Sequence, residues 1–345
     1  NGSASITDNT AKNGGGVGVY SGATFEMNGN ASITDNKATT GNGGGGYEGG
    51  GTFNMSGDAS ISRNEATTGN GGGVYVGGGV FTMSGGASIT SNHTANDTYG
   101  GGVYVDTHGE FNMRGGTIGG AAADKANTAK NGGGVYVSGG KFNMSGGSIT
   151  GNDCNGVFVD DRATFTVSGA ATVKGNTRER AASNVFLTWG AKITIGPGGL
   201  NCPDGSIGVT KGAGRVDDAI ATGATGVTLS DEIAKKFKID DSTYVVKYKD
   251  NQLVLAEKDT TAETHTHFLC GKTHTAIGDH KTDTQITFTK WESENSLPAT
   301  QGNWYLTKNV TLTETWEPKD GTVLCLNGHS ITSTVSSNDS RLIDI

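Results

Sequence analysis

The stretch GGGVYVGGGVFTMSGGASITSN, residues 71–92, is one copy of a phrase that returns along the first 200 residues, and this repetition limits the possible folds more than any other feature. Further copies occupy 14–36, 43–64, 100–120 and 132–152, decay at 156–176, and leave the relic VFLTWGAKITI at 185–195. The aromatic anchors Phe25, Phe53, Phe81, Phe111, Phe142 and Phe165, with Ile193 in the same slot, are separated by 28, 28, 30, 31, 23 and 28 residues. Every copy holds three alternating runs, V-Y-V, F-x-M and A-S-I-T. Period-two alternation with β-branched and aromatic residues reads as strand. The glycine pairs between the runs mark tight corners that need positive φ. Three short strands per repeat make one coil of a parallel β-helix. About seven coils, stacked roughly 4.8 Å apart, would build a rod about 34 Å long.

Length varies in one place, between the Asn that closes the third strand and the next glycine run. KATTGN, HTANDTY and AAADKANTAKN therefore map to loops on one edge. A propeller would need four strands and about 40 residues per blade, and a leucine-rich repeat would need leucines at fixed sites; neither pattern is here. Inside the coil, Met27, Met55, Met83, Met113 and Met144 should stack inward, as should Ile33, Ile61, Ile89, Ile118 and Ile149. Asn36, Asn64, Asn92, Asn152 and Asn176 recur at one corner, where stacked amides can bond their neighbours and tolerate a left-handed turn.

Composition agrees with a thin, repetitive core. Glycine (59) and proline (4) together fall below the roughly 25–30% of low-complexity chains, and no glycine recurs every third residue as in collagen. With 33% apolar residues and a net charge of −8, a compact helical enzyme is disfavoured and so is a nucleic-acid partner. No run approaches the roughly 18 apolar residues that would cross a membrane. Charge shifts from −2 up to Leu200 to −6 beyond it, which points to a change of architecture. We read 1–200 as β-helix repeats and 201–257 as a cap over the open end, including a short amphipathic helix at 230–237. Residues 258–290 read as a polar linker with a His/Cys segment. Residues 291–345, with three of the four Trp, read as the truncated beginning of a second β-rich unit. A chain that opens at Asn1 without Met or leader is expected to be a piece of a longer one, its signal and anchor elsewhere.

The motif GGGVYVxxGxFNMSGGSITGN and the phrase NWYLTKNVTLTETW...GTVLCLNGHSIT resemble the pectin-lyase-like repeats of very large surface proteins from Gram-positive gut bacteria. The resemblance implies a right-handed parallel β-helix and an extracellular place on the bacterial cell surface. It also implies a non-enzymatic adhesin or stalk whose partner is a host glycan or secreted host protein, mucin or immunoglobulin among them. It makes 291–345 the opening coil of another rod. Neither a cofactor nor membrane insertion is expected.

The alternative is a polysaccharide lyase or glycoside hydrolase of the same fold. Asp153, Asp160, Asp161 and Arg162, in GNDCNGVFVDDRATF, are the nearest thing to a catalytic cluster. Polygalacturonase-like hydrolases carry Asn-x-Asp, Asp-Asp, Gly-His-Gly and Arg-x-Lys. Here Asn152 and Asp153 lack the spacer and the last two motifs are missing. An inverting pair needs carboxyls about 6.5–9.5 Å apart across a sugar, which the adjacent Asp160 and Asp161 do not supply. No catalytic residue is therefore assigned. In HTHFLCGKTH, the residues His265, His267, Cys270 and His274 have zinc-compatible spacing, but Phe268 stands where related H-T-H-C-x-C-G stretches carry a second thiol. Cys154, Cys202, Cys270 and Cys325 allow three disulfide connectivities, and a Cys270–Cys325 pair would tie the His/Cys segment to the second unit. LPATQG (297–302) mimics a sortase signal without Gly at its fifth position and reads as a loop. If the valines of V-Y-V point inward, Tyr47, Tyr75, Tyr104, Tyr136, Phe158 and Phe186 form an outward aromatic row that could hold a glycan or a protein. Glu48, in a valine slot, argues against that orientation or marks a frayed coil.

Overall fold

The computed structural model describes residues 2–95, 97–241, 243–258, 264–269, 284–326 and 329–334, with side chains described outside 264–269 and 284–286. The chain is all-β, and its parallel strands stack into a solenoid of about eight turns. It divides into two units, 1–258 and 259–345.

Three ladders run along the first unit. The first stacks the V-Y-V strands in register, so that Tyr47 pairs with Tyr75, Tyr75 with Tyr104, and Tyr104 with Tyr136. The second does the same for F-x-M, aligning Phe53, Phe81, Phe111, Phe142 and Phe165. The third aligns Ile6, Ile33, Ile61, Ile89, Ile118 and Ile149. Because every repeat puts the same residue in the same slot, parallel stacking places like on like. Phe53, Phe81, Phe111, Phe142 and Phe165, with Met55, Met83, Met113 and Ile61, Ile89, Ile118 and Ile149, are all at most 1% exposed. Each such burial stabilises by about 1.5–3 kcal/mol. Rings Phe111 and Phe142 lie 4.8 Å apart at 4°, the spacing of the strands themselves.

The glycine run before each V-Y-V strand lets coils approach closely. Gly71 has φ +72°, and a Cβ at Gly72 would sit 2.6 Å from the carbonyl oxygen of Gly101 in the next coil. The Asn corner is longer than the sequence suggests. Each side-chain amide donates to the next carbonyl in the order Asn9, Asn36, Asn64, Asn92, Asn127, Asn152, Asn176, Asn184. Asn184 then donates Nδ2–H to the Asp240 carboxylate at 2.6 Å, and its backbone N–H to the other oxygen at 2.8 Å. These asparagines do not occupy the left-handed turn themselves. That conformation belongs to the preceding residue, as at Asp35 (φ 58°), Arg63 (56°) and Ser91 (60°).

The solenoid does not stop at residue 200. Ile207–Lys211 joins both the third ladder, through Val173, and the first, through Val185, so the eighth turn merges two ladders. Ala219–Gly223 adds a parallel strand to the second ladder. Closure comes later. Phe237–Ile239 pairs in parallel with Ile207–Lys211, and the antiparallel hairpin of Tyr244–Lys249 and Gln252–Glu257 covers the last F-x-M-type strand. The helix is confined to Asp231–Ala234, with Ser230 as its cap. Reversal of strand direction ends the parallel template, and Lys247 and Lys249 guard the outer edge.

In the second unit, Thr264–Leu269 and Thr284–Trp291 form an antiparallel pair. Asn303–Leu306 then pairs in parallel with both Thr284–Trp291 and Val323–Cys325, and Val310–Leu312 pairs in parallel with Ile331–Ser333. Strands therefore occur inside the stretch read from sequence as a linker. Leu297, Leu306, Val310 and Leu312 form the core of this unit. The LPATQG loop packs there, with the Pro298 carbonyl accepting from the Trp316 indole at 2.9 Å.

Candidate functional site

The valines of the first ladder point inward and are fully buried, so the aromatic row faces away from the core. Tyr47, Tyr75, Tyr104, Tyr136, Phe158 and Phe186 stack in order, with centroids 4.9–5.4 Å apart and planes within 3–10° of parallel. Tyr75, Tyr104, Tyr136 and Phe158 are each only 8% exposed. Their faces are spent on one another, so the row offers solvent edges and hydroxyls rather than a flat platform. Tyr99 adds a further ring 4.8 Å from Tyr136.

Two of the hydroxyls are engaged as well. Tyr75 donates to Asp106 and Tyr136 donates to Asp160. Burial first, and then the carboxylates that accept these hydrogen bonds, push both phenols far above their ordinary range. Burial raises the Tyr104 and Tyr47 phenols in the same direction.

Glu48 neither flips the row nor frays the coil. Its side chain points into the core beside the valines and is fully buried. One carboxylate oxygen accepts from the backbone N–H groups of Gly50 and Gly51, both at 2.6 Å, and the other accepts from Gly79 N–H at 2.8 Å. A coil that turns early, as GYEGGG does, leaves backbone donors facing inward, and the carboxylate satisfies them.

The sequence cluster around Asp153 is pulled apart. Asp153 bridges Thr128 and Thr177 at the loop edge. Asp160 and Asp161 lie on the turn after the Val157–Val159 strand, with Asp160 holding Tyr136. Burial and the adjacent Asp153 charge raise the Cys154 thiol. Cys154, Cys202 and Cys325 are free thiols. Among the described residues no group of three or more His, Cys, Asp or Glu is placed to hold a metal. Of the zinc candidates, His265 and His267 lie on the Thr264–Leu269 strand, while Cys270 and His274 fall outside the described residues.

Trp189 is a surface feature that no sequence motif singled out. It is 69% exposed on the turn after the Val185–Leu187 strand, with the Arg215 guanidinium 5.5 Å from its ring centroid. The available signal was its departure from the Gly-Gly at 77–78 and the Ser-Gly at 21–22 and 138–139 found at that corner in other repeats.

Fold and surface together define a β-solenoid repeat protein. No protein-family model, curated protein or solved structure matches the chain.

Proposed function

We propose that the chain is a non-enzymatic module of a bacterial cell surface, an adhesin or stalk that holds binding surface for a host glycan or a secreted host protein. The observation that carries this reading is the use to which the polar groups are put. Glu48 caps backbone amides, Asp160 holds a tyrosine, Asp240 ends the Asn row, and Asp153 lies on a different edge from Asp160 and Asp161. Of the Asp160–Asp161 pair, one carboxylate is engaged in the scaffold and the other is set directly beside it. What remains in the first unit is a solenoid with a decorated edge, and stacked repeats suit the display of an extended surface. Incubation with pectins, uronic-acid polymers and mucin glycans should release neither reducing ends nor unsaturated products. Release that disappears in Asp160→Ala or Asp161→Ala would overturn the reading in favour of a lyase or hydrolase.

A further inference from the structure

The corner that follows each first-ladder strand is where the repeats part company. It reads GG at 77–78 and SG at 138–139, but DDR at 160–162 and TWG at 188–190. A repeat that abandons its glycine turn for large exposed side chains gains nothing in packing from them. Trp189 is the most exposed large apolar side chain among the described residues, at 69%. Its turn is nonetheless held tightly. Lys211 reaches back from the next coil and donates from Nζ to the carbonyls of Thr188, Trp189 and Ala191 at 2.9, 2.7 and 2.9 Å. Such a clamp orders the turn that carries the indole before any ligand arrives, which lowers an entropic cost of binding.

The polar groups beside it are unspent. A Cβ at Gly190 would lie 3.6 Å from Cβ of Asp161, which sets that carboxylate of the preceding coil against the Trp189 turn. The side chains of Asp161 and Arg162 are exposed and make no hydrogen bond or ion pair among the described residues. Resting on the glycan-binding half of the function proposed above, we propose that Trp189, Asp161 and Arg215 form a subsite for one pyranose ring of a glycan. The C–H face of the sugar lies on the indole face opposite Arg215, Asp161 accepts from adjacent hydroxyls, and the Arg215 guanidinium donates past the ring edge to hydroxyl or carboxylate oxygens. A protein partner fits less well. Interfaces of about 800 Å² per side are built around a contiguous apolar centre, and here a single indole is flanked by charge.

The test is an array of immobilised glycans probed with the full chain and with Trp189→Ala, Asp161→Ala and Tyr20→Ala, all matched in far-ultraviolet circular dichroism. Trp189→Ala and Asp161→Ala should each weaken binding about tenfold or more. Tyr20→Ala, an exposed ring in the first coil, should leave it unchanged. Equal binding by Trp189→Ala would overturn the subsite while leaving the surface-module reading intact. Absence of any bound glycan, or Trp189-dependent capture of a secreted protein alone, would overturn the ligand class. Failure of the broader reading has a separate readout, the release of cleaved sugar.

Discussion

Substituting Asn92 by Ala removes the middle rung of the Asn row, and the cost follows from the bonds that rung makes. Asn92 Oδ1 accepts the backbone N–H of Asn64 at 3.0 Å and its side-chain amide at 2.9 Å. Its own Nδ2 donates to the Ile61 carbonyl and to Asn127 Oδ1, both at 3.0 Å. The site is fully buried, so no water replaces the lost acceptor. The backbone N–H of Asn64 is stranded, while its side-chain amide keeps the carbonyls of Ile33 and Ser62 at 3.0 and 3.1 Å. A loss of about 1–3 kcal/mol is therefore expected. Asn9→Ala is the matched control, because Asn9 is exposed and the substitution removes only its side-chain donations, to Asn36 at 2.9 Å and to the Thr7 carbonyl at 3.0 Å, stranding no buried donor. It should stay within about 0.5 kcal/mol. Urea unfolding followed by far-ultraviolet circular dichroism reads both, with hydrogen exchange at the Asn64 amide reporting the stranded donor directly. Because repeat rods can unfold in parts, midpoints are compared rather than extrapolated free energies. Equal effects of the two substitutions, or a loss below about 1 kcal/mol for Asn92→Ala, would refute the idea that the row holds the corner.

Two further outcomes follow from the surroundings of the first ladder. Glu48→Val restores the consensus residue yet should destabilise by about 2–4 kcal/mol, because the amides of Gly50, Gly51 and Gly79 lose their acceptor; a rise in the urea midpoint would show that the carboxylate is dispensable. The Tyr75 and Tyr136 phenols, raised by burial and by their carboxylate partners, should stay protonated above about pH 10, where free tyrosine ionises. Their stabilising effect is complete below that pH and is lost as pH climbs through the raised native values. In an ultraviolet titration, the signal that separates wild type from Tyr75→Phe and Tyr136→Phe should then appear only with alkaline unfolding. Ionisation of either phenol near pH 10 in the folded chain would contradict this.

The ladders were legible because a parallel solenoid stacks a residue on its own equivalent, so a repeat in sequence becomes a column in space. Phe, Met and Ile therefore announced their places, and their buried sides, without any long-range guesswork. What escaped notice was whatever the columns borrow from outside the repeat. Asn127 fills its rung from within the insertion AAADKANTAKN, where spacing no longer guides the eye. Asp240 ends the row from 56 residues beyond Asn184. The eighth turn was hidden because Ile207–Lys211 serves two ladders at once and so matches the pattern of neither. The aromatic row was readable as outward-facing, but its use was not, since alternation reports which side a ring takes and not whether its neighbours bury its face. Glu48 looked anomalous because a one-letter pattern shows a charge in a core slot and conceals the three backbone amides around it.

The Asn row has a direction, and its last member decides what lies beyond. Every asparagine both receives and gives, so the row could be lengthened by any coil that supplies another amide. Asp240 can only receive. From Asn184 it takes the side-chain and backbone donations, and from Thr210 a hydroxyl at 2.8 Å, with no proton of its own to hand onward. One oxygen in place of one amide nitrogen thus acts as a full stop, written in hydrogen-bond polarity rather than in shape. The row thus carries its own end in a single side chain.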